Sequence, residues 1–442
     1  MAPEHPWAGR SLHLVAIGGA GMSGLALLAQ ALGARVTGSD RADSSYLARV
    51  RDAGMQVAVG HAAGNVPGGA DVEVVYSTAI PADNPERAAA RERGLAELHR
   101  SELLAQVSEL RPTIAVAGTH GKTTTTSMVA HALIGCGMDP AYLIGGELRS
   151  TGSNAGWGAG EWLVAEADES DRSMLRLRRD IAVVMNVELD HHATYGSHVE
   201  LEHAFREFLA PAANAVVWNR PALLALRDGP VVAFDVEELR LDPGGSRVRW
   251  RGIDVRLPVP GLHNALDAVA ALEACRLAGA DPARAAAALA DFPGAGRRFE
   301  RLGATARGAE LYDDYAHHPT EVRATIEAAR TLGARRVVVA FQPHLYSRTA
   351  ALASELGGAL ALADVVVVLE VYPARERVED HPGVTGQLVA QAAADAASGR
   401  PVAWLPRFDD ARAYLQATLR ADDLCLVLGA GDIDDLGRSL VA

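Results

Sequence analysis

Short apolar runs alternate with Ala- and Leu-rich stretches from one end of the chain to the other. LHLVAIG, VEVVYS, TIAVAG, WLVAEA, IAVVMN, RRVVVAF, ADVVVVLE and LCLVLGAG read as buried strands. Between many of them lie runs such as MSGLALLAQALG and HNALDAVAALEACRLAG, which place apolar residues at three- and four-residue spacing, the period of a helix. A strand that returns to its sheet through a helix lies parallel to its predecessor, so the pattern predicts a parallel α/β fold.

At 442 residues the chain is too long for one ordinary domain. RSELLAQVSELRPT reads as a helix leading into a new strand at Thr113, which closes a first domain over 1–111. Glycine-rich FPGAGRRFERLG (292–303) interrupts the helical pattern and reads as a linker, giving a central domain over 112–297 and a third over 298–442. Within the central domain, RVRWRGIDVRLPVPG reads as a small antiparallel hairpin attached to the α/β core.

The bulk chemistry narrows the function classes. The chain is 49 % hydrophobic and 22 % charged, the range of a packed globular protein. A net charge of −13 argues against general nucleic-acid binding, which needs a basic surface. Cys136, Cys275 and Cys425 lie far apart and form no CxxC pair, which fits a reducing compartment. The opening residues do not read as a leader, and no run approaches the roughly 20 apolar residues of a membrane helix. A cytoplasmic protein with no membrane insertion is expected.

Two glycine loops carry the functional signal. The first domain opens strand–GGAGMSG–helix; Gly19, Gly21 and Gly24 fit GxGxxG, and a second strand, RVTGSD, ends at Asp40. Such glycines let backbone N–H groups approach a diphosphate, and an acid in that place can bind a ribose hydroxyl. Taken alone the motif suggests a dinucleotide such as NAD, or only tight packing of helix on strand.

The central domain opens strand–GTHGKTTTT–helix, with Gly118, Gly121, Lys122 and Thr123 giving GxxGKT. That is two residues tighter than the GxxxxGK[ST] phosphate loop, because Val116 stands where its first glycine would be. Of 42 basic residues, Lys122 is the one lysine. A compact ammonium fits among phosphates where a planar guanidinium is too wide. The Thr123 hydroxyl suits Mg²⁺, while Thr124 to Thr126 read chiefly as a polar first helical turn. Glu166 and His191 follow two later strands and could complete a metal site with Thr123, a hydrogen-bonded structural histidine being the other reading of His191. Asp168, Glu169 and Asp171 read as support for that site or as a solvated acidic run. Two loops on separate domains point to two phosphorylated ligands.

IGGAGMSGLA, GTHGKTTTT, AEADESD, DHHATY, HNALDAVAA, GRRFERLG, DDYAHHPTE, FQPHLYSRT and GAGDI occur in this order, and from about residue 12 to 433 the chain resembles the Mur ligases. The resemblance implies a Rossmann-like N-terminal domain, a central P-loop-type ATPase domain and a C-terminal Rossmann-like domain that closes over the site. It also implies ATP-dependent ligation of L-alanine to the lactyl carboxylate of UDP-N-acetylmuramate through an acyl phosphate, with Mg²⁺, or Mn²⁺ in its place, by a monomer or homodimer.

Residue roles carry over motif by motif. Gly118, Thr119, His120, Gly121, Lys122, Thr123 and Thr124 are expected on ATP, joined by Asn264, Arg298 and Asp314. Gly19, Ala20, Gly21, Met22, Ser23, Asp40 and Ser77 are expected on the UDP-linked substrate. Tyr315, His317 and Arg348 are expected at alanine, Arg348 facing its carboxylate. Lys122, Glu166, His191 and Arg298 are the expected catalytic set, and Thr123, Glu166 and His191 the metal ligands. Two departures stand out: Asp267 where the family usually has asparagine, and Leu345 where some relatives carry a basic residue. Three rivals remain at this point: a recycling ligase that joins a preformed peptide to the same nucleotide, an NAD-dependent dehydrogenase, and a non-catalytic nucleotide-binding regulator.

Overall fold

The computed structural model describes residues 5–190 and 194–442. Each of the apolar runs above becomes a strand. The first sheet holds β1 (Ser11–Val15), β2 (Arg35–Asp40), β3 (Gln56–Val59), β4 (Val72–Tyr76) and β5 (Ala96–His99), all parallel in the order β3–β2–β1–β4–β5. The strand order reverses between β1 and β4, and the first glycine loop leaves β1 at that point. Open α/β sheets form their ligand crevice at such a reversal.

The second sheet holds β6 (Thr113–Ala117), β7 (Ala141–Leu148), β8 (Ser153–Trp157), β9 (Leu163–Glu166), β10 (Ile181–Val184), β11 (Asn214–Trp218) and β12 (Val232–Phe234). Their order is β12–β11–β10–β6–β9–β7–β8, parallel except for the antiparallel edge strand β8. The helix Ala20–Ala31 packs onto β7 and β8 through Gly24, where an added Cβ would stand 2.3 Å from Leu143 Cδ1 and 3.1 Å from Asn154 Nδ2. Asn154 Nδ2 in turn donates to Ala20 O at 2.6 Å and lies 3.0 Å from Ser23 Oγ. The third glycine of GxGxxG therefore serves the contact between the first helix and the second sheet.

The hairpin read from the sequence is the larger part of a three-stranded antiparallel sheet, β13 (Glu237–Asp242), β14 (Gly245–Trp250) and β15 (Ile253–Leu257). The expected linker is shorter than 292–303, because β16 (Glu300–Ala304) already pairs antiparallel with β17 (Glu310–Asp314). With β18 (Arg336–Phe341), β19 (Val365–Val368), β20 (Val402–Trp404) and β21 (Asp423–Leu428) these form a sheet in the order β16–β17–β21–β18–β19–β20. Both faces are covered. Val337, Val339 and Phe341 enter one apolar cluster and Val338 and Ala340 the other, the two-residue period of a strand.

The chain divides into two compact units. One comprises Met1–Val187, Val199–Asp235 and Ala270–Ala288; the other comprises Glu188–His198, Val236–Val269 and Leu289–Ala442. The three-stranded sheet thus falls in the second unit. Among the described residues, no helix is long and apolar enough to cross a membrane.

Candidate active site

Three adjacent parallel strands of the first unit end side by side. Ala117 of β6 lies opposite Val184 of β10, and Val116 opposite Glu166 of β9. The second glycine loop leaves β6, Glu166 closes β9, and Asn186 follows β10. Gly118 (φ 148°) and Gly121 (φ 80°) take backbone conformations that a side chain disfavours. A Cβ on Gly118 would also meet Met185 Cβ at 3.0 Å. Asn186 holds the loop: its Oδ1 accepts from the His120 N–H at 2.8 Å, its Nδ2 donates to His120 O at 3.1 Å, and its carbonyl accepts from the Thr119 N–H at 3.3 Å. The helix Lys122–Gly135 starts from Gly121 without a side-chain cap, so its first N–H groups and dipole face the loop.

Lys122 Nζ donates to Gly118 O at 2.6 Å, to Thr119 O at 3.1 Å and to Glu169 Oε1 at 3.0 Å. Burial alone would lower its pKa, but Glu169, Asp168 and Glu166 overcome that and raise it, so the ammonium stays charged. Glu169 is only 1 % exposed, which removes the solvated-run reading for that residue. Thr123 Oγ1 lies 3.2 and 3.0 Å from the two Glu166 carboxylate oxygens. Gly145 donates its N–H to Glu166 Oε2 at 2.8 Å, and a Cβ on Gly145 would stand 2.7 Å from that oxygen. A hydroxyl beside a carboxylate is a hard-oxygen pair that fits Mg²⁺. His191 lies outside the described residues. Thr124 is buried, and Thr126 Oγ1 donates to Lys122 O at 2.7 Å, a bond within the helix.

The acids after Glu166 have a second cation. Arg100 Nη2 donates to Asp168 at 2.9 Å and to Asp171 at 2.7 Å, and Nε to Asp171 at 3.0 Å. Burial works against the charged carboxylate of Asp168, but Arg100 and Lys122 outweigh it and hold its pKa well below the ordinary range.

At the first loop Gly19 is exposed, Ala20 and Gly21 are half-buried, and the side chains of Met22 and Ser23 are buried. The helix Ala20–Ala31 also has no side-chain cap. Asp40 Oδ2 accepts from the Gly18 N–H at 2.9 Å, which ties the loop to the end of β2. Ser77 stands half-buried just after β4, on the other side of the strand-order reversal.

In the second unit Asp314 closes β17. Its two oxygens accept from the N–H groups of Ala316 and Phe299, each at 2.8 Å, and burial pushes its carboxyl up to about 6 against the pull of Arg298 and these donors. The Arg298 guanidinium lies 5.2 Å from the Tyr315 ring centroid and 3.7 Å from Glu321 Oε1. Asn264 Nδ2 donates to Pro260 O at 2.6 Å in the first turn of the helix Leu262–Leu277. Asp267 is buried in the same helix.

Arg348 is 3 % exposed and forks onto Asp190, with Nε at 2.6 Å from one oxygen and Nη2 at 3.0 Å from the other. A carboxylate therefore already faces the guanidinium, and it belongs to the protein. Arg348 Nη1 lies 2.9 Å from His344 Nδ1. The His344 ring stands 5.8 Å from that of His317, which is 5.5 Å from Tyr315. Burial pushes His317 down to about 4 and His344 down to about 2, so both imidazoles are neutral at neutral pH. Leu345 is buried at φ 68° at the start of the helix Tyr346–Leu360.

Asn186, Gly145, Arg100, Asp190 and His344 escape a reading of the sequence alone. Asp190 and His344 lie inside the quoted motifs DHHATY and FQPHLYSRT and could have been weighed with their neighbours. Arg100 carries no local signal beyond the start of a helix.

Three family models match in succession. They are described as Mur ligase family, catalytic domain, over residues 11–111; Mur ligase middle domain, over 116–275; and Mur ligase, glutamate ligase domain, over 297–431. A UDP-N-acetylmuramate–L-alanine ligase of Kineococcus radiotolerans is 48 % identical, with 97 % of this chain and 95 % of that protein covered. One from Streptomyces coelicolor is 44 % identical, with 100 % and 99 % covered. Among solved structures, a UDP-N-acetylmuramate–alanine ligase from Thermotoga maritima matches with a TM-score of 0.84 at 28 % identity, covering 97 % of this chain and 98 % of that one.

Proposed function

The chain belongs to the Mur ligase family, and from that premise we propose how its residues share one reaction. It is an ATP-dependent, ADP-forming ligase that joins L-alanine to the lactyl carboxylate of UDP-N-acetylmuramate in peptidoglycan-precursor biosynthesis. A carboxylate is a poor electrophile. Attack of its oxygen on the γ-phosphorus of ATP breaks the bond to ADP and leaves an acyl phosphate. The alanine amine, having lost its ammonium proton, then attacks the acyl carbon and expels phosphate.

The three domains are read as 1–111, a Rossmann-like holder of the UDP-linked substrate; 112–297, the P-loop-type ATPase; and 298–442, a Rossmann-like domain for the amino acid. Lys122 stabilises charge on the migrating phosphoryl group. Thr123 and Glu166, with His191, would hold Mg²⁺, which supplies charge neutralisation among the phosphates. The backbone of residues 118–121 and the uncapped helix start cradle the phosphates. Asn264, Arg298 and Asp314 are read as partners of adenine, phosphate and ribose. Gly19 to Ser23, with Asp40 and Ser77, are read as the UDP site, Met22 and Ser23 through their backbone. Tyr315, His317 and Arg348 are read as the alanine site, where the Asp190 carboxylate marks what Arg348 accepts. A cytoplasmic location fits substrates that are nucleotides.

The observation that carries this reading is Lys122, Thr123 and Glu166 gathered at the ends of two adjacent strands beside an uncapped helix start. Phosphate release by the purified protein with ATP and Mg²⁺ tests it. Release that needs both UDP-N-acetylmuramate and L-alanine, with a product heavier by one alanine residue, is expected. Release that needs a peptide in place of alanine would identify the recycling ligase, and no release with any amine would reject the ligase.

A further inference from the structure

We propose that Arg100 is a binding residue for the diphosphate of the nucleotide-linked substrate, held in place by two carboxylates that follow Glu166. The inference rests on the function given above, since it deepens the first loop's role. Arg100 opens the helix Arg100–Ser108 directly after β5, on the same side of the strand-order reversal as β4. A guanidinium carries N–H groups on three nitrogens. Nε and Nη2 are spent on Asp168 and Asp171. Among the described residues Nη1 has no hydrogen-bond partner, and it stands 3.3 Å from where a Cβ on Gly21 would lie.

Gly21 is thus the one residue of the loop whose missing side chain makes room for a cation. The side chain of Arg100 is 19 % exposed, so it is largely fixed while one edge stays open. A diphosphate on that loop approaches the acids of residues 168–171, and without an intervening positive charge they would repel it. Arg100 separates the two. Its acid partners give it an orientation that a free arginine would lose, and they tie the first loop to the segment that also pairs with Lys122.

A purely structural clamp makes a different prediction, because it would not distinguish a phosphorylated ligand from its bare nucleoside. The test is inhibition of the intact enzyme by UDP and by uridine, each competing with UDP-N-acetylmuramate, in the wild type, Arg100→Ala and Arg100→Lys. We expect Arg100→Ala to weaken UDP roughly 10- to 100-fold, the worth of a charged hydrogen bond, and uridine by no more than about twofold. Arg100→Lys, which keeps a charge but loses the fork, should fall between and still discriminate UDP from uridine less than the wild type does. If Arg100→Ala does not fold, the lysine variant decides the same comparison. Equal losses for UDP and uridine, or no loss for UDP, would overturn the inference while leaving the ligase intact. A wild-type protein that binds neither would overturn both.

Discussion

Lys122 shows why one side chain cannot be traded for its nearest chemical relative. Its ammonium sits within 3.1 Å of two loop carbonyls and a buried glutamate, a convergent set that three N–H donors can satisfy. A guanidinium presents a flat fork to that pocket and projects further into the space proposed above for the phosphates. Lys122→Arg should therefore keep its fold, by circular dichroism and melting temperature, and lose at least about 100-fold in kcat. Lys122→Ala differs in kind. It leaves Glu169 buried without its cation, at a cost of about 3–5 kcal/mol, and Glu169→Gln in the same chain should return much of that stability and none of the turnover. Lys122 is legible in the sequence because the loop is local: glycines, lysine and threonine are consecutive. Asn186 and Gly145 are not, since each meets the site through strand pairing that brings residues distant in sequence to one edge.

At the scale of elements, the eight apolar runs and their intervening helices were legible because each period is a property of one segment. What joins elements was not. GxGxxG predicts a glycine that permits close packing, yet the partner of Gly24 is Leu143 on β7 rather than its own strand. β8 and β16 run antiparallel at sheet edges, and neither has a sequence pattern that fixes its direction. The Gly24 contact makes a prediction. Leu143 is 6 % exposed, and Asn154 beside it is fixed by bonds to Ala20 and Ser23, so neither can retreat freely from a new methyl. Gly24→Ala should lower unfolding free energy in urea by about 1–3 kcal/mol. Adding Leu143→Ala should relieve the crowding, and a double variant no more stable than the sum of the two losses would reject this account of the glycine.

For the whole molecule, the pH dependence of stability is set by buried groups that pull in opposite directions. Burial holds His263 and His317 down to about 4 and His344 down to about 2. In the unfolded chain each titrates near its ordinary 6.5 and takes up a proton that the folded protein refuses. Their contribution is complete above that value and is lost as the pH falls, down to about 4 for His263 and His317 and on towards 2 for His344. Burial pushes Asp314 up to about 6, and Asp313 up to about 7 despite its bond to Arg297. These two bind protons more readily folded than unfolded, so their contribution is greatest near pH 4 and is lost as the pH rises through 6 and 7. Three histidines against two aspartates leave one proton in excess on the unfolded side. Stability from these groups should rise between about pH 4 and 6 by only about 1.4 kcal/mol per unit. Single variants expose the cancellation. His263→Gln removes one histidine, so its stability relative to the wild type should improve by about 1.4 kcal/mol for each unit the pH falls across that window. Asp314→Asn should do the reverse, losing ground by a similar amount as the pH falls. Urea unfolding of both variants and the wild type across that window measures the two slopes, and parallel curves would show that neither group titrates as its burial implies.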